Sequence, residues 1–198
     1  MKRASLGFHM HSGWGVLVAV SGDANALELL DRRRIVVADP KIPGAIQPYH
    51  FAAQLEPPDQ EKHLVHCAAS SSRLAAAEIA EVVKELNGRH YDVAGAAILL
   101  ASGRVLPPLA KILAAHPLIH TAEGQFFRHA AHSACGGLQI PVTTIRVREL
   151  DARAKVAFAK RAGQVQSSIA SLGRSVGPPW TSDHKTAALA AALLLVRA

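Results

Sequence analysis

The residue order points to a three-layer α/β fold with elements in the order βββαβαβα around a mixed sheet, and three observations carry that reading. Thirty-seven of the 198 residues are Ala and only 5% are aromatic, so the core must be built from small aliphatic side chains on helices, which disfavours an all-β protein. The first forty residues alternate short β-prone runs with turns, as an antiparallel meander does. Residues 93–101 (VAGAAILLA) are almost wholly apolar without alternation, the pattern of a strand covered on both faces in a parallel sheet. The 49% apolar share and the length fit one domain over residues 1–198, large enough to fold without disulfides or a structural metal.

Taken in order, residues 13–20 (GWGVLVAV) form a strand closed by Ser21-Gly22-Asp23, and residues 26–38 return as extended chain. This is a hairpin, or a three-stranded meander if the charged run Asp31-Arg32-Arg33-Arg34 turns the chain between residues 27–30 and 35–38. Prolines at 40, 43 and 48 mark a loop. Residues 58–86 have helical spacing, as one helix or two, with Asn87-Gly88 as the stop. After the buried strand at 93–101 come a turn at Ser102-Gly103-Arg104, a helix over 106–116, a break at Pro117 and a helix over 118–135 that ends at Gly136-Gly137. Residues 142–150 alternate Ile145 and Val147 with Arg146 and Arg148, as an edge strand does. Phe158, Ala162, Val165, Ile169 and Leu172 make one helical stripe, Gly177-Pro178-Pro179-Trp180 ends it with Trp180 as a core plug, and Asp183 opens a last, alanine-rich helix.

Charge and cysteine usage narrow the setting. Residues 1–100 carry 10 basic and 11 acidic side chains and residues 101–198 carry 12 and 4, so the net charge of +7 is a shortage of acids in the second half. Such a surface suits RNA or DNA as partner, suits acidic lipid or an acidic protein equally, and also serves solubility alone. Cys67 and Cys135 have neither CxxC nor zinc-finger spacing and read as free thiols of a reducing, bacterial cytoplasm. His9 and His11 interrupt the N-terminal apolar run, which therefore does not read as a signal peptide. The apolar run 187–196 is ten residues, about half a bilayer span, so no membrane segment is expected.

The order of elements resembles the ribonuclease H-like superfamily, which includes nucleases, Holliday-junction resolvases and the middle domains of release factors and Pelota. Two segments add to the likeness. His11-Ser12-Gly13-Trp14-Gly15-Val16 is similar to the glycine and aromatic run in the first hairpin of the resolvases. Asp183 before Ala187-Ala188-Leu189-Ala190 is similar to their last helix, where a metal-binding acid precedes an alanine-rich stretch. Catalysis in that superfamily implies several carboxylates that hold two divalent cations. Here no Asp or Glu precedes Asp23, and Ser102 and Arg104 follow the buried strand where an acid would stand. The resemblance therefore implies the fold without the usual nuclease acids, as in the release-factor and Pelota domains.

Other residues carry chemistry by their spacing. His9 and His11 would point to one face of a strand, which is the geometry of an HxH metal pair, against the plainer reading of two hydrogen-bonded strand-end histidines. His116, His120 and Glu123 recur at steps of four and three on one helix face, and with His9, His11 and Asp183 they would complete one candidate site. The competing reading has His116 capping a helix with Pro117 at its first position, and Glu123 paired with Arg128. His184 joins the list as the neighbour of Asp183. GxSxG, GxGxxG and Walker sequences are absent, which removes support for acyl-enzyme chemistry and for tight nucleotide binding.

The first expectation is a non-catalytic binding module for RNA or a protein–RNA assembly, with Arg146, Arg148, Arg153, Lys160 and Arg174 on phosphates. The second is a metal-dependent hydrolase of phosphate esters, with a divalent metal on His9, His11 and Asp183 and with His120 and Glu123 as further ligands or proton carriers. The third is a structural subunit that forms a homo-oligomer through its apolar helices.

Overall fold

A computed structural model describes residues 1–101, 103 and 105–196. Ser102 and Arg104, which the sequence places at the turn after the buried strand, lie outside the described residues.

The chain opens with β1 (Lys2–His11), β2 (Trp14–Gly22) and β3 (Leu27–Val36), an antiparallel meander. After the loop at residues 37–47 come α1 (Pro48–Ala52), α2 (Pro57–Gly88) and β4 (Tyr91–Leu100). Then follow α3 (Leu109–Leu113), α4 (His116–Gly137), β5 (Val142–Arg146), α5 (Leu150–Phe158), α6 (Ala162–Val176) and α7 (Ser182–Leu193). The sheet order is β3-β2-β1-β4-β5, with β4 parallel to both β1 and β5. Helices α2 and α4 cover one face and α7 the other, with α5 and α6 packed outside α7.

The three-layer expectation holds, and several boundaries move. Residues 2–11, not counted as a strand in the sequence, are the central β1, because its side chains pack into both layers. Leu6, Phe8 and Met10 enter the core under α2 and α4, and Ser5 and Gly7 meet α7. No turn occurs at Asp31–Arg34: β3 runs straight through, since an edge strand can place its charges on partners and solvent. Arg33 pairs with Asp31 and Glu85, and Arg32 donates to the carbonyls of Val176 (3.0 Å), Pro178 (3.1 Å) and Pro179. Pro117 stands in the first turn of α4, where its missing N–H costs nothing, so the expected 106–116 helix shrinks to 109–113 and His116 already belongs to α4. The stripe from Phe158 to Leu172 is divided between α5 and α6 at Ala159, whose φ of 49° is left-handed. β5 stops at Arg146, five residues long, and a single helical turn leads into α5. Trp180 is half-buried on the second core as the sequence suggested, with its indole N–H on the Ile169 carbonyl at 2.9 Å.

The alanines of α7 follow from how closely it crosses the sheet. A Cβ on Gly7 would lie 1.9 Å from the Ala187 carbonyl oxygen, and Ser5 Oγ donates to the Ala191 carbonyl at 2.7 Å. Ala187, Ala188, Ala190 and Ala191 are fully buried at this crossing. Both cysteines are buried free thiols; burial pushes Cys135 up to about 12 and raises Cys67 as well. Ellman's reagent is accordingly expected to leave both unmodified in the native protein and to titrate two thiols in denaturant; a fast native reaction would show that the core is open.

Candidate functional site

Helix α7 runs antiparallel to β1, and their repeats match. Four helical residues rise about 6 Å and two strand residues about 6.6 Å, so each turn of α7 advances one same-face position on β1. Ala191 lies at Ser5 and Ala187 at Gly7. The next turn brings Asp183 to His9 and His11, at the C-terminal end of β1. His11 Nε2 lies 3.0 Å from Asp183 Oδ2, and His9 Nδ1 lies 3.5 Å from Asp183 Oδ1. One ligand atom from each of the three can be chosen so that all lie within 4.8 Å of one another.

Hydrogen bonding fixes the histidines. The Thr186 hydroxyl donates to the Asp183 carbonyl at 3.1 Å, so it accepts from His9 Nδ1–H at 3.0 Å and leaves the His9 Nε2 lone pair free. His11 donates Nε2–H to Asp183. Burial holds the His9 imidazole below its ordinary value against the pull of Asp183, and the charges of His11 and Arg128 act in the same direction as burial. His9 is therefore neutral at pH 7, the form that ligates a metal.

The site continues across the meander on the same face. His9 and His11 stack with ring centres 5.1 Å apart, His11 stacks on Trp14 at 4.3 Å, and the Arg34 guanidinium lies over Trp14 at 4.3 Å. Strand pairing accounts for this ladder: His11 pairs with Trp14 across β1 and β2, and Val16 pairs with Arg34 across β2 and β3. On the other side, Arg128 of α4 donates from Nε to the Leu99 carbonyl of β4 at 3.0 Å. Thr186, Arg34 and Arg128 carry no signal in sequence as site residues, since only the helix–strand register and the tertiary packing bring them here.

The six candidate residues do not share one site. His116, His120 and Glu123 lie on α4, which covers the opposite face of the sheet from α7. There Glu123, 2% exposed, accepts from the His50 ring Nδ1 at 2.9 Å and from its backbone N–H at 3.2 Å. Glu123 therefore does not pair with Arg128, and the N-cap of α4 is Ala115, not His116. His184 serves structure: its Nδ1 accepts the Thr181 N–H at 3.2 Å at the start of α7, and burial, with help from Arg32, lowers its basicity.

The five basic residues expected on phosphates are also dispersed. Arg146 (2.9 Å) and Arg153 (3.1 Å) share Glu149, Arg148 and Arg174 are exposed, and Arg146 ends β5 with Arg148 and Arg153 just beyond it. Lys160 lies with Lys2 and Arg3 beside the last turn of α7, at the sheet end opposite Asp183. Among the described residues no helix is long and apolar enough to cross a membrane.

No protein-family model and no curated protein sequence matches the chain. Solved structures do resemble it. Thermus thermophilus RuvC in complex with a Holliday junction substrate aligns with 14% identity and a TM-score of 0.53, covering 96% of this chain and 91% of that one. A second Thermus thermophilus RuvC structure gives 14% identity and a TM-score of 0.52, covering 96% and 92%. At that identity the likeness speaks to architecture, which agrees with the meander, the two parallel strands and the closing alanine-rich helix: the chain has the ribonuclease H-like fold in a RuvC-like form.

Proposed function

We propose that the chain hydrolyses phosphodiester bonds in nucleic acid at a one-cation centre held by His9, His11 and Asp183. The convergence of these three side chains at the C-terminal ends of parallel strands, the usual position of an α/β site, carries the reading. Two imidazoles and one carboxylate suit a zinc-, manganese- or iron-class ion. They do not suit a pair of magnesium ions, which need oxygen ligands. Bound there, such an ion would supply polarisation of a phosphate oxygen and acidification of a water.

The chain's own residues do the rest. Asp183 accepts a hydrogen bond from His11 Nε2–H, and a cation held by the two side chains would take the place of that proton. Arg128, fixed on the Leu99 carbonyl, adds positive charge beside His9 for a phosphate oxygen. Exposed Arg34, braced on Trp14, extends that charge across the meander along the path of a strand. Branched DNA enters as a candidate substrate class because the similar RuvC was solved with a Holliday junction substrate.

The test is cleavage of labelled single-stranded DNA, RNA and a four-way DNA junction by the full chain with Mn²⁺. At least one substrate is expected to be cut, with cutting abolished by EDTA and by His11→Ala. Binding should weaken steeply with salt, as phosphate contacts require. Salt-sensitive binding with no cleavage under Mn²⁺, Zn²⁺ or Mg²⁺ would favour the second reading, a non-catalytic nucleic-acid module. That reading is supported by Asp183 being the sole carboxylate of the cluster. Absence of both binding and cleavage removes both readings.

A further inference from the structure

A second group of ligating side chains lies on the other face of the sheet and has no part in the centre above. His116 and His120 occupy the first two turns of α4 one turn apart, and both rings are exposed. His50, on α1, is brought against them from a distance of 66 positions in sequence. The ring centres are 5.2 Å apart for His50 and His116, 4.8 Å for His50 and His120, and 4.4 Å for His116 and His120. Their planes cross at 76°, 63° and 89°, so the rings meet edge to face and none covers another.

We propose that His50, His116 and His120 together bind one zinc-class divalent cation, with Glu123 as the buried carboxylate that orients His50. Three observations on the chain carry this. A ligand nitrogen from each ring can be chosen with all three within 4.8 Å of one another. Zinc-bound nitrogens at about 2.0–2.1 Å from the ion sit about 3.3 Å apart in a tetrahedron, so side-chain rotations of the two exposed histidines close the site. His50 Nδ1 is spent on Glu123 at 2.9 Å, which directs its Nε2 lone pair away from the carboxylate. A carboxylate behind a ligating imidazole is the standard outer partner of zinc histidines, because it fixes the tautomer and raises the ring's basicity.

Burial of Glu123 gives the arrangement its purpose. A carboxylate 2% exposed is costly, and among the described residues its hydrogen-bond partners are the ring and backbone N–H of His50. A cation on the far side of His50 would offset that buried charge. Three imidazoles favour zinc, copper, nickel or iron over magnesium. With three protein ligands the fourth position stays open to water. His120 also lines a cavity of about 1030 Å³ with Tyr49 and Phe126, so the open position borders a space that can admit a small molecule. The ion would also tie α1, five residues long, to α4.

The test is zinc content of the untagged full chain after loading with Zn²⁺ and removal of excess by gel filtration, with the same protocol on variants. The wild-type chain is expected to hold one more equivalent than His116→Ala/His120→Ala. His11→Ala should keep the equivalent that this double variant loses. Glu123→Gln should weaken that equivalent by about 10–100-fold in a competition titration with a chromogenic chelator. If His116→Ala/His120→Ala holds as much zinc as the wild type, the proposal is overturned, and because both rings are exposed this variant keeps its fold. An absent ion at His9, His11 and Asp183 looks different: the wild type would then hold one equivalent, lost in His116→Ala/His120→Ala and retained in His11→Ala.

Discussion

Gly7→Ala is expected to destabilise the protein by about 3 kcal/mol, at the upper end for an overpacked core position, and to scatter the candidate site at the same time. The added Cβ would stand 1.9 Å from the Ala187 carbonyl oxygen and 3.2 Å from Ala191 Cβ. A backbone carbonyl inside a helix cannot rotate away, so the whole of α7 must lift from β1. Lifting it stretches the Ser5–Ala191 hydrogen bond, opens the alanine-packed second core and withdraws Asp183 from His9 and His11. Urea unfolding followed by circular dichroism measures the loss. Gly88→Ala, at the end of α2 with nothing within 4 Å of the new methyl, is the control and should be neutral or stabilising. Equal stability of Gly7→Ala and the wild type would mean that α7 is not seated as described.

Asp183→Asn should leave the fold nearly intact and remove the metal centre. The change is isosteric, and its cost to α7 is the loss of one acid in the first turn, about 0.5 kcal/mol. The effect on the ion is far larger. Loss of an outer-shell partner alone weakens metal binding about 10–100-fold, so loss of the only carboxylate ligand should weaken it by at least about 100-fold. Mn²⁺ affinity read by isothermal titration checks this, with thermal melting as the control for folding. An Asp183→Asn protein that binds Mn²⁺ as the wild type does would place the ion elsewhere.

The layered architecture was legible because it rests on composition and pattern: the unbroken apolar run of β4, the helical spacing of α2 and the alanines of α7 all reflect burial that the sequence must encode. β1 was harder to read, since a strand buried on both faces alternates apolar with small or polar residues, and Ser5, Gly7 and His9 look like interruptions until α7 is laid over them. The arginine run of β3 hid a continuous strand for the opposite reason, because Arg33 is paired with Glu85 and Arg32 donates to the carbonyls before α7, both remote in sequence.

The candidate residues show the same division. His9, His11 and Asp183 could be chosen from spacing and residue type, and the helix–strand register unites them. Glu123 and the α4 histidines share a helix face, as their spacing said, yet that face meets α1 and not α7. His50 carried no signal at all: in the sequence it stands alone after a proline-rich stretch, and only the packing of α1 against α4 gives it partners. The expected arginine and lysine contacts were chosen by charge alone, and charge does not say at which end of the sheet a residue lies.

The most direct test of the metal centre is the zinc stoichiometry of the His116→Ala/His120→Ala protein with and without Asp183→Asn, since the double variant leaves His9, His11 and Asp183 as the remaining cluster. One bound equivalent that disappears on adding Asp183→Asn is the expected result. No bound zinc in the double variant, or an equivalent that survives Asp183→Asn, would contradict it.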